Sequence, residues 1–409
     1  MTGYRAKCIL VLSSALFLVS GAALAANTSK SSMKVKTKSD PSITLHGFIN
    51  LSGFWQDQNF FFGNGQAAEL PDGTGGSLSG FDARATRLWL VIHGPALSSG
   101  WTTSGRVEGD FFGGFHGSGP YSTSQEIPRL RQAYFALTSP NGRTSITMGQ
   151  QWDLVFPITA VPKSYTHIAF PLGFGNGMIG WRYPGIVLHQ KLNTSEKGGA
   201  AWNFAVGAFT GSWSGPGSDT NYQTAGNVGF RPQIEARLSV KAGDLSAWGT
   251  GYYSNENLEG LPAGAPSHGT LSSYIAEVGA TWHPGRFLLL GAVYYGKAIG
   301  QEFGSMAQFG DIKDKGGYIQ GGYSFATHWA AYATYATDRP NEGEVIQWMG
   351  YGSSGRLKSQ QFALSLDYTE GPWGAGVEVM HGILTTTTNG VNRATHVGNQ
   401  LSVSAIYHF

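Results

Sequence analysis

From residue 43 onward the chain repeats one pattern, segments of about ten residues in which apolar side chains alternate with small or polar ones. Successive side chains of a β-strand point to opposite faces, so this period places a different solvent on each side of every strand. The segment 400–409 is the clearest. Leu401, Val403, Ala405, Tyr407 and Phe409 share one face, Gln400, Ser402, Ser404 and His408 the other, and Ile406 alone breaks the order. The segment 43–55 sets Ile43, Leu45, Ile49, Leu51 and Trp55 against Thr44, His46, Asn50 and Ser52. Fourteen more strands are expected between them, at 84–94, 100–112, 128–138, 143–150, 179–190, 200–211, 229–240, 245–256, 272–283, 286–297, 316–325, 328–338, 358–369 and 373–384. The total of sixteen is even, which returns the chain to the side from which it set out.

The connections alternate as well. Long ones, at 56–83, 113–127, 151–178, 212–228, 257–271, 298–315, 339–357 and 385–399, are mostly rich in Gly, Ser and Asn. Those between are short and carry hairpin chemistry, as in Pro140-Asn141-Gly142, Ala242-Gly243-Asp244, His283-Pro284-Gly285, Ala326-Thr327 and Glu370-Gly371-Pro372. A soluble sandwich has no reason to alternate in this way, whereas a membrane barrel has long loops at one rim and short turns at the other. Trp101, Trp202, Trp282, Trp329, Trp373, Tyr407 and Phe409 fall beside the short turns, where an amphipathic ring spans hydrocarbon and headgroup; the competing reading makes each a plug in a soluble core. In lipid every backbone polar group must be paired within the protein, so strands can span only as a closed barrel. Sixteen of them enclose a lumen too wide for wall side chains to fill.

Composition agrees. Glycine supplies 60 of 409 residues and charged residues 13%, against about 7% and about 25% in soluble domains. Hydrophobic residues reach 41%, which excludes disorder. No apolar run beyond the N-terminus approaches the roughly 18 residues of a spanning helix.

Arg5 and Lys7 precede an apolar stretch from Cys8 to Val19, and Ala23-Leu24-Ala25 offers a cleavage site, so residues 1–25 read as a signal peptide ahead of the alternative of a buried helix. Cys8 is the single cysteine, and cleavage leaves no thiol for a disulfide, a nucleophile or a metal site. Losing Arg5 and Lys7 takes the formal charge from +2 to 0; residues 26–42 carry +3, leaving −3 on the barrel at 43–409. The lysine-rich segment 26–42 reads as a flexible periplasmic tail, and the nearly neutral body gives no support to nucleic-acid binding.

The signal, the strand count and the terminal Ser404-Ala405-Ile406-Tyr407-His408-Phe409 resemble Gram-negative outer-membrane porins, in which the last residue is typically Phe. Gly80-Phe81-Asp82-Ala83-Arg84, Glu108-Gly109-Asp110-Phe111-Phe112-Gly113, Arg129-Leu130-Arg131-Gln132-Ala133-Tyr134 and Met148-Gly149-Gln150-Gln151-Trp152 resemble the DcaP-like branch, related to phosphate-selective porins. That branch carries a longer, coiled-coil-like N-terminal segment, from which the lysine tail departs. The resemblance implies a homotrimer in outer-membrane lipid and lipopolysaccharide, a third loop that constricts the lumen, and passive uptake of small hydrophilic, often anionic, solutes.

A pore selects by its width and by the charges facing its narrowest part. The loop at 151–178 holds Pro157 and Pro162, the formal charges Asp153 and Lys163, His167, and the aromatics Trp152, Phe156, Tyr165, Phe170 and Phe174, a content suited to packing against a barrel wall. Capping the mouth or packing on a neighbouring subunit is the alternative. Strand parity points Arg87, His93, Arg106, Glu108, Asp110, Arg129 and Arg131 inward. Four arginines would form a basic wall and a local anion path, which Lys163 would extend; alternatively Glu108 and Asp110 neutralise them as wall ion pairs. Glu235, Arg237, Glu277, Asp367 and Glu378 also lie on inward parity.

No nucleophile elbow, phosphate loop or zinc-protease motif is present, Gly173, Gly175 and Gly177 form only a chance glycine string, and the eleven histidines are scattered. No enzyme activity, cofactor or metal is therefore expected. Non-conducting barrels, either a hydrolase with a triad on adjacent strands or an adhesive, structural protein, are the competing classes.

Overall fold

The computed structural model describes residues 34–36, 41–61, 63–113, 127–193, 199–210, 232–258, 261–300, 302–306 and 309–409. The expected signal peptide at 1–25 lies outside them, as does most of the tail. Lys34–Lys36 forms a short strand against Ser42, Ile43 and Thr44.

Sixteen antiparallel strands make the wall: β1 Ser42–Gln56, β2 Arg87–Ala96, β3 Thr102–Asp110, β4 Arg129–Thr138, β5 Thr144–Trp152, β6 Arg182–Lys191, β7 Ala201–Phe209, β8 Gln233–Ala242, β9 Leu245–Asn257, β10 Thr270–Trp282, β11 Phe287–Lys297, β12 Lys313–Tyr323, β13 Trp329–Asp338, β14 Arg356–Glu370, β15 Trp373–Thr387 and β16 Arg393–His408. Each pairs with its neighbour in sequence, and β16 returns to β1, from Ile49 opposite Tyr407 to Gln56 opposite Gln400. The ladder is thus closed and leaves no edge for lipid to meet.

The faces are the reverse of a soluble protein's. Leu364 is 66% exposed, Val278 59% and Trp373 58%, on strands whose alternate residues Ser365, Glu277 and Glu378 are buried. Large apolar side chains therefore look outward all round the barrel, where the solvent is hydrocarbon. Trp202, Trp282, Trp329 and Trp373 are exposed next to the short turns, as an interfacial girdle requires. Those turns are tight: Gly243 (φ 56°) and Gly371 (φ 57°) supply the left-handed backbone that two-residue hairpins need.

Strand ends shift by a few residues from the sequence reading, and two of the differences alter the pairing. The second strand does not begin at 84. Leu78–Asp82 already pairs with Ser52–Gln56 of β1, the chain leaves the ladder at 83–86, and β2 then pairs with Ser42–Phe48. At the break Arg84 doubles back on Asp82, donating from N and Nε to Oδ1 at 2.8 and 3.0 Å and from Nη2 to Oδ2 at 2.8 Å. Glycine and serine before Phe81 hide the alternation there. The last long connection shrinks from 385–399 to 388–392, because β15 and β16 continue pairing from Thr387 opposite Arg393. Threonine suits a strand, and at the rim, above the hydrocarbon, no apolar face marks it.

The lumen is occupied by chain. The first external connection, at 57–77, buries Ala67, Ala68 and Leu70 inside. The sixth, at 298–312, places Met306 with Leu70 and Leu384. The seventh carries the short helix α1, Glu342–Gln347, capped by Asn341 accepting from Glu344 N at 3.1 Å. Val345 and Trp348 seat this segment on Leu258, Leu261, Leu271 and Leu357 at the mouth.

Candidate functional site

The third external connection, 153–181, enters the barrel and is tied to strand after strand. It starts at β8, where Leu154 N donates to Glu235 Oε2 at 2.5 Å and Arg237 Nη2 donates to Phe156 O at 2.8 Å. Thr281 of β10 donates to Thr159 O at 2.8 Å, and Tyr318 of β12 to Ala160 O at 3.1 Å. Gln320 of β12 brackets Lys163, accepting from its N at 2.7 Å and donating to its O at 2.9 Å. On β15, Glu378 accepts from Ser164 Oγ at 2.7 Å and lies 2.5 Å from His167 Nδ1. The loop then reaches β2, three strands further round the ring: Arg87 Nη2 donates to Ile168 O at 3.4 Å, and Ala169 packs with Ala67, Ala85 and Phe112. It next returns to β14, where Gly173 N donates to Gln361 Oε1 at 2.7 Å. A loop with this course lines one wall and crosses the lumen, so neither the mouth-capping nor the neighbour-packing alternative describes it.

On β2–β6 the inward arginines and acids meet as parity requires. Glu108 Oε2 accepts from Arg106 Nη2 at 2.5 Å and Gln132 Nε2 at 2.8 Å, and its Oε1 accepts from Arg131 Nε at 2.7 Å. Arg87 Nε stands 3.8 Å from the same Oε1. Asp110 takes Arg129 in a two-pronged grip, Nε to Oδ1 at 2.9 Å and Nη2 to Oδ2 at 2.7 Å, and Arg131 Nη1 at 2.8 Å. Two carboxylates thus serve four guanidiniums, and the two sequence alternatives merge: wall ion pairs exist, with positive charge left over.

Arg182 enlarges the excess. It is buried, its guanidinium carbon lies 4.0 Å from the Trp181 ring centre and 4.8 Å from that of Trp152, and its Nε and Nη1 have no hydrogen-bond partner among the described residues. Phe112, Phe170 and Trp181 each stand 5.6 Å from the Arg129 guanidinium, giving an arginine cluster walled by ring faces. Five arginines (87, 106, 129, 131 and 182) against Glu108 and Asp110 leave +3 locally. Sequence reasoning missed Arg182 because alternation sends it outward with Ile186 and Leu188, which are exposed. It turns inward because it ends the third loop, where Asp153 N donates to Trp181 O at 3.0 Å and closes the stem.

The three loop residues expected beside this wall lie elsewhere. Lys163 does not extend the basic cluster; it is held on β12, where burial lowers its pKa against the opposing charge of Asp367. His167 is an anchor to Glu378, and Asp153 accepts from Phe156 N at 2.7 Å and Trp181 N at 2.8 Å. From β8 to β15 the buried carboxylates Glu235, Glu256, Glu277, Asp314, Asp338, Asp367 and Glu378 outnumber the buried arginines Arg237 and Arg356. The lumen therefore gathers basic groups on β2–β6 and acidic groups across from them.

Searches against family models and against curated proteins return no match. Solved structures do match. The outer membrane channel DcaP of Acinetobacter baumannii superposes with a TM-score of 0.69 over 92% of this chain and 99% of its own, at 18% identity. The fold is that of an outer-membrane channel. OmpT of Vibrio cholerae, also solved in a trimer form, gives 0.55 at 12% identity over 92% of this chain and 100% of its own. OmpF of Salmonella typhi in complex with daunomycin gives 0.55 at 14%, with the same coverage. The porin fold implied by the sequence resemblance is the fold observed.

Proposed function

We propose that this chain is an outer-membrane porin, a water-filled channel for passive diffusion of small hydrophilic solutes with a modest preference for anions. Residues 1–25 would direct export, and the barrel would assemble as a homotrimer in outer-membrane lipid and lipopolysaccharide. The observation that carries the reading is the Arg182 guanidinium, whose Nε and Nη1 have no partner among the described residues, within an aromatic-walled cluster of charge +3. A buried cation whose donors are unused gains from an anion that can accept its hydrogen bonds, and the third loop, crossing beside it, sets the width. No catalytic residue is assigned. The anchoring of Ser164 and His167 by one carboxylate, Glu378, makes them fixing points for the loop.

Incorporation of the purified protein into planar lipid bilayers tests this. Discrete, ohmic current steps are expected; a silent protein in an intact membrane would favour a plugged hydrolytic or adhesive barrel. Release of fatty acid from phospholipid would identify the hydrolytic one.

A further inference from the structure

At the base of the third loop stands a charged cluster on which the proposed anion path makes no demand. Asp153, Glu235 of β8 and Glu302 of the sixth external connection each place a carboxylate oxygen within 4.8 Å of the others, and all three are buried. Backbone donors satisfy part of the set: Phe156 N and Trp181 N reach Asp153, and Leu154 N reaches Glu235. Two oxygens stay without a partner among the described residues, Glu302 Oε2 and Gln233 Oε1. Gln233 is fully buried, with its amide lodged between two of the acids, Nε2 donating to Glu235 Oε1 at 2.8 Å and Glu302 Oε1 at 3.1 Å. Arg237, the nearest arginine along β8, gives no ion pair to any of the three; its Nη2 donates to the carbonyls of Leu154 and Phe156 and its Nε to Thr250 Oγ1. Like charges at this spacing out of water are held together either by shared protons, as between Asp153 and Glu302, or by a counter-charge.

We propose that Asp153, Glu235 and Glu302, with the side-chain oxygen of Gln233, bind one divalent cation, and that this cation is Ca²⁺. The donors are all hard oxygens, which excludes a preference for zinc or copper. Ca²⁺ accepts irregular, carboxylate-rich cages, whereas Mg²⁺ demands near-octahedral geometry and keeps its waters. The ion requires that the acids release their protons and that the Gln233 amide turn end for end, exchanging its two Nε2 bonds to Glu235 and Glu302 for an Oε1 facing the ion. It would fasten three elements: the start of the third loop, the wall at β8, and the sixth connection, whose Phe303 packs on Trp181 with ring centres 4.9 Å apart.

The test uses the full-length protein in detergent, stripped of metal and titrated with CaCl₂ by calorimetry at about pH 8, where the buried carboxylates can give up protons that compete for the site. Burial raises the pKa of both Asp153 and Glu302, and the neighbouring acids raise Glu302 further. One Ca²⁺ per chain is expected, with a melting temperature higher in Ca²⁺ than in EDTA. Glu302→Gln should weaken binding at least tenfold and abolish the shift, and Glu235→Gln serves if that variant does not fold. Terbium emission sensitised by Trp181, quenched by added Ca²⁺ and reduced in Trp181→Phe, reports on the wild type without any ligand variant. A wild type that takes up neither Ca²⁺ nor Tb³⁺ overturns the site and leaves a proton-sharing cluster. Undiminished binding in a folded Glu302→Gln or Glu235→Gln variant overturns it by placing the ion elsewhere. Conductance and its selectivity are read separately, so the porin reading survives or falls on its own measurements.

Discussion

The ring of Tyr165 lies against Gly374 so closely that a Cβ on the glycine would stand 2.6 Å from Tyr165 Cζ. Ile406, the one inward apolar residue of the last strand, closes the other side of the same notch, 2.7 Å from that Cβ position. The third loop therefore adheres to β15 where the wall has no side chain, and Tyr165 is secured by Thr369 Oγ1 at 2.7 Å. Gly374→Val should push the ring away and loosen the loop at a cost of about 1–3 kcal/mol. Temperature-dependent gel mobility would show a lower transition, and single-channel traces a changed conductance. An unaltered pair of readings would mean that the loop does not depend on this seat.

Glu378 holds the tip of the loop through Ser164 and His167. Removing it by Glu378→Ala should release the tip while the aromatic packing around Phe156 and Phe174 persists. Larger and noisier current steps are expected in bilayer recordings, since the obstruction gains freedom.

Arg131 and Arg182 look equivalent in composition and differ in consequence. Arg131 bridges Glu108 and Asp110, so Arg131→Ala takes a bond from each of two buried carboxylates, which keep Arg106 and Arg129, and should cost about 1.5–3 kcal/mol. Arg182 pairs with no carboxylate among the described residues, so Arg182→Ala should leave folding nearly intact and act on selectivity. Urea unfolding in lipid vesicles separates the two, and a larger loss for Arg182→Ala would reverse the assignment.

The outward face makes its own demand. Leu364, at the middle of β14, is exposed to hydrocarbon, and Leu364→Arg should destabilise the barrel by about 2–4 kcal/mol. Refolding yields into bilayers measure this directly.

How far the sequence carried these conclusions depends on what each feature answers to. All sixteen strands were legible because each separates water from lipid, and the requirement leaves an apolar face at Leu401 and Val403 and a polar one at Ser402 and Ser404. Where lipid makes no demand the signal fades, as at Thr387 and Arg393, whose pairing beyond the apolar belt went unread. The arginines of β2–β4 followed from parity. Arg182 did not, because its position depends on the return of a loop rather than on a strand. Lys163 was misplaced for the same reason: the loop's inward turn could be read from its aromatics, but the wall receiving each residue depends on distant partners such as Gln320 and Glu378.

Reversal potential across a bilayer in a salt gradient tests the central claim most directly, comparing the wild type with Arg182→Ala. The wild type should show a potential of the sign set by anion passage, and the variant should move toward zero while its conductance persists. A cation-selective wild type, or a variant with unchanged potential, would contradict the assignment of selectivity to this guanidinium cluster.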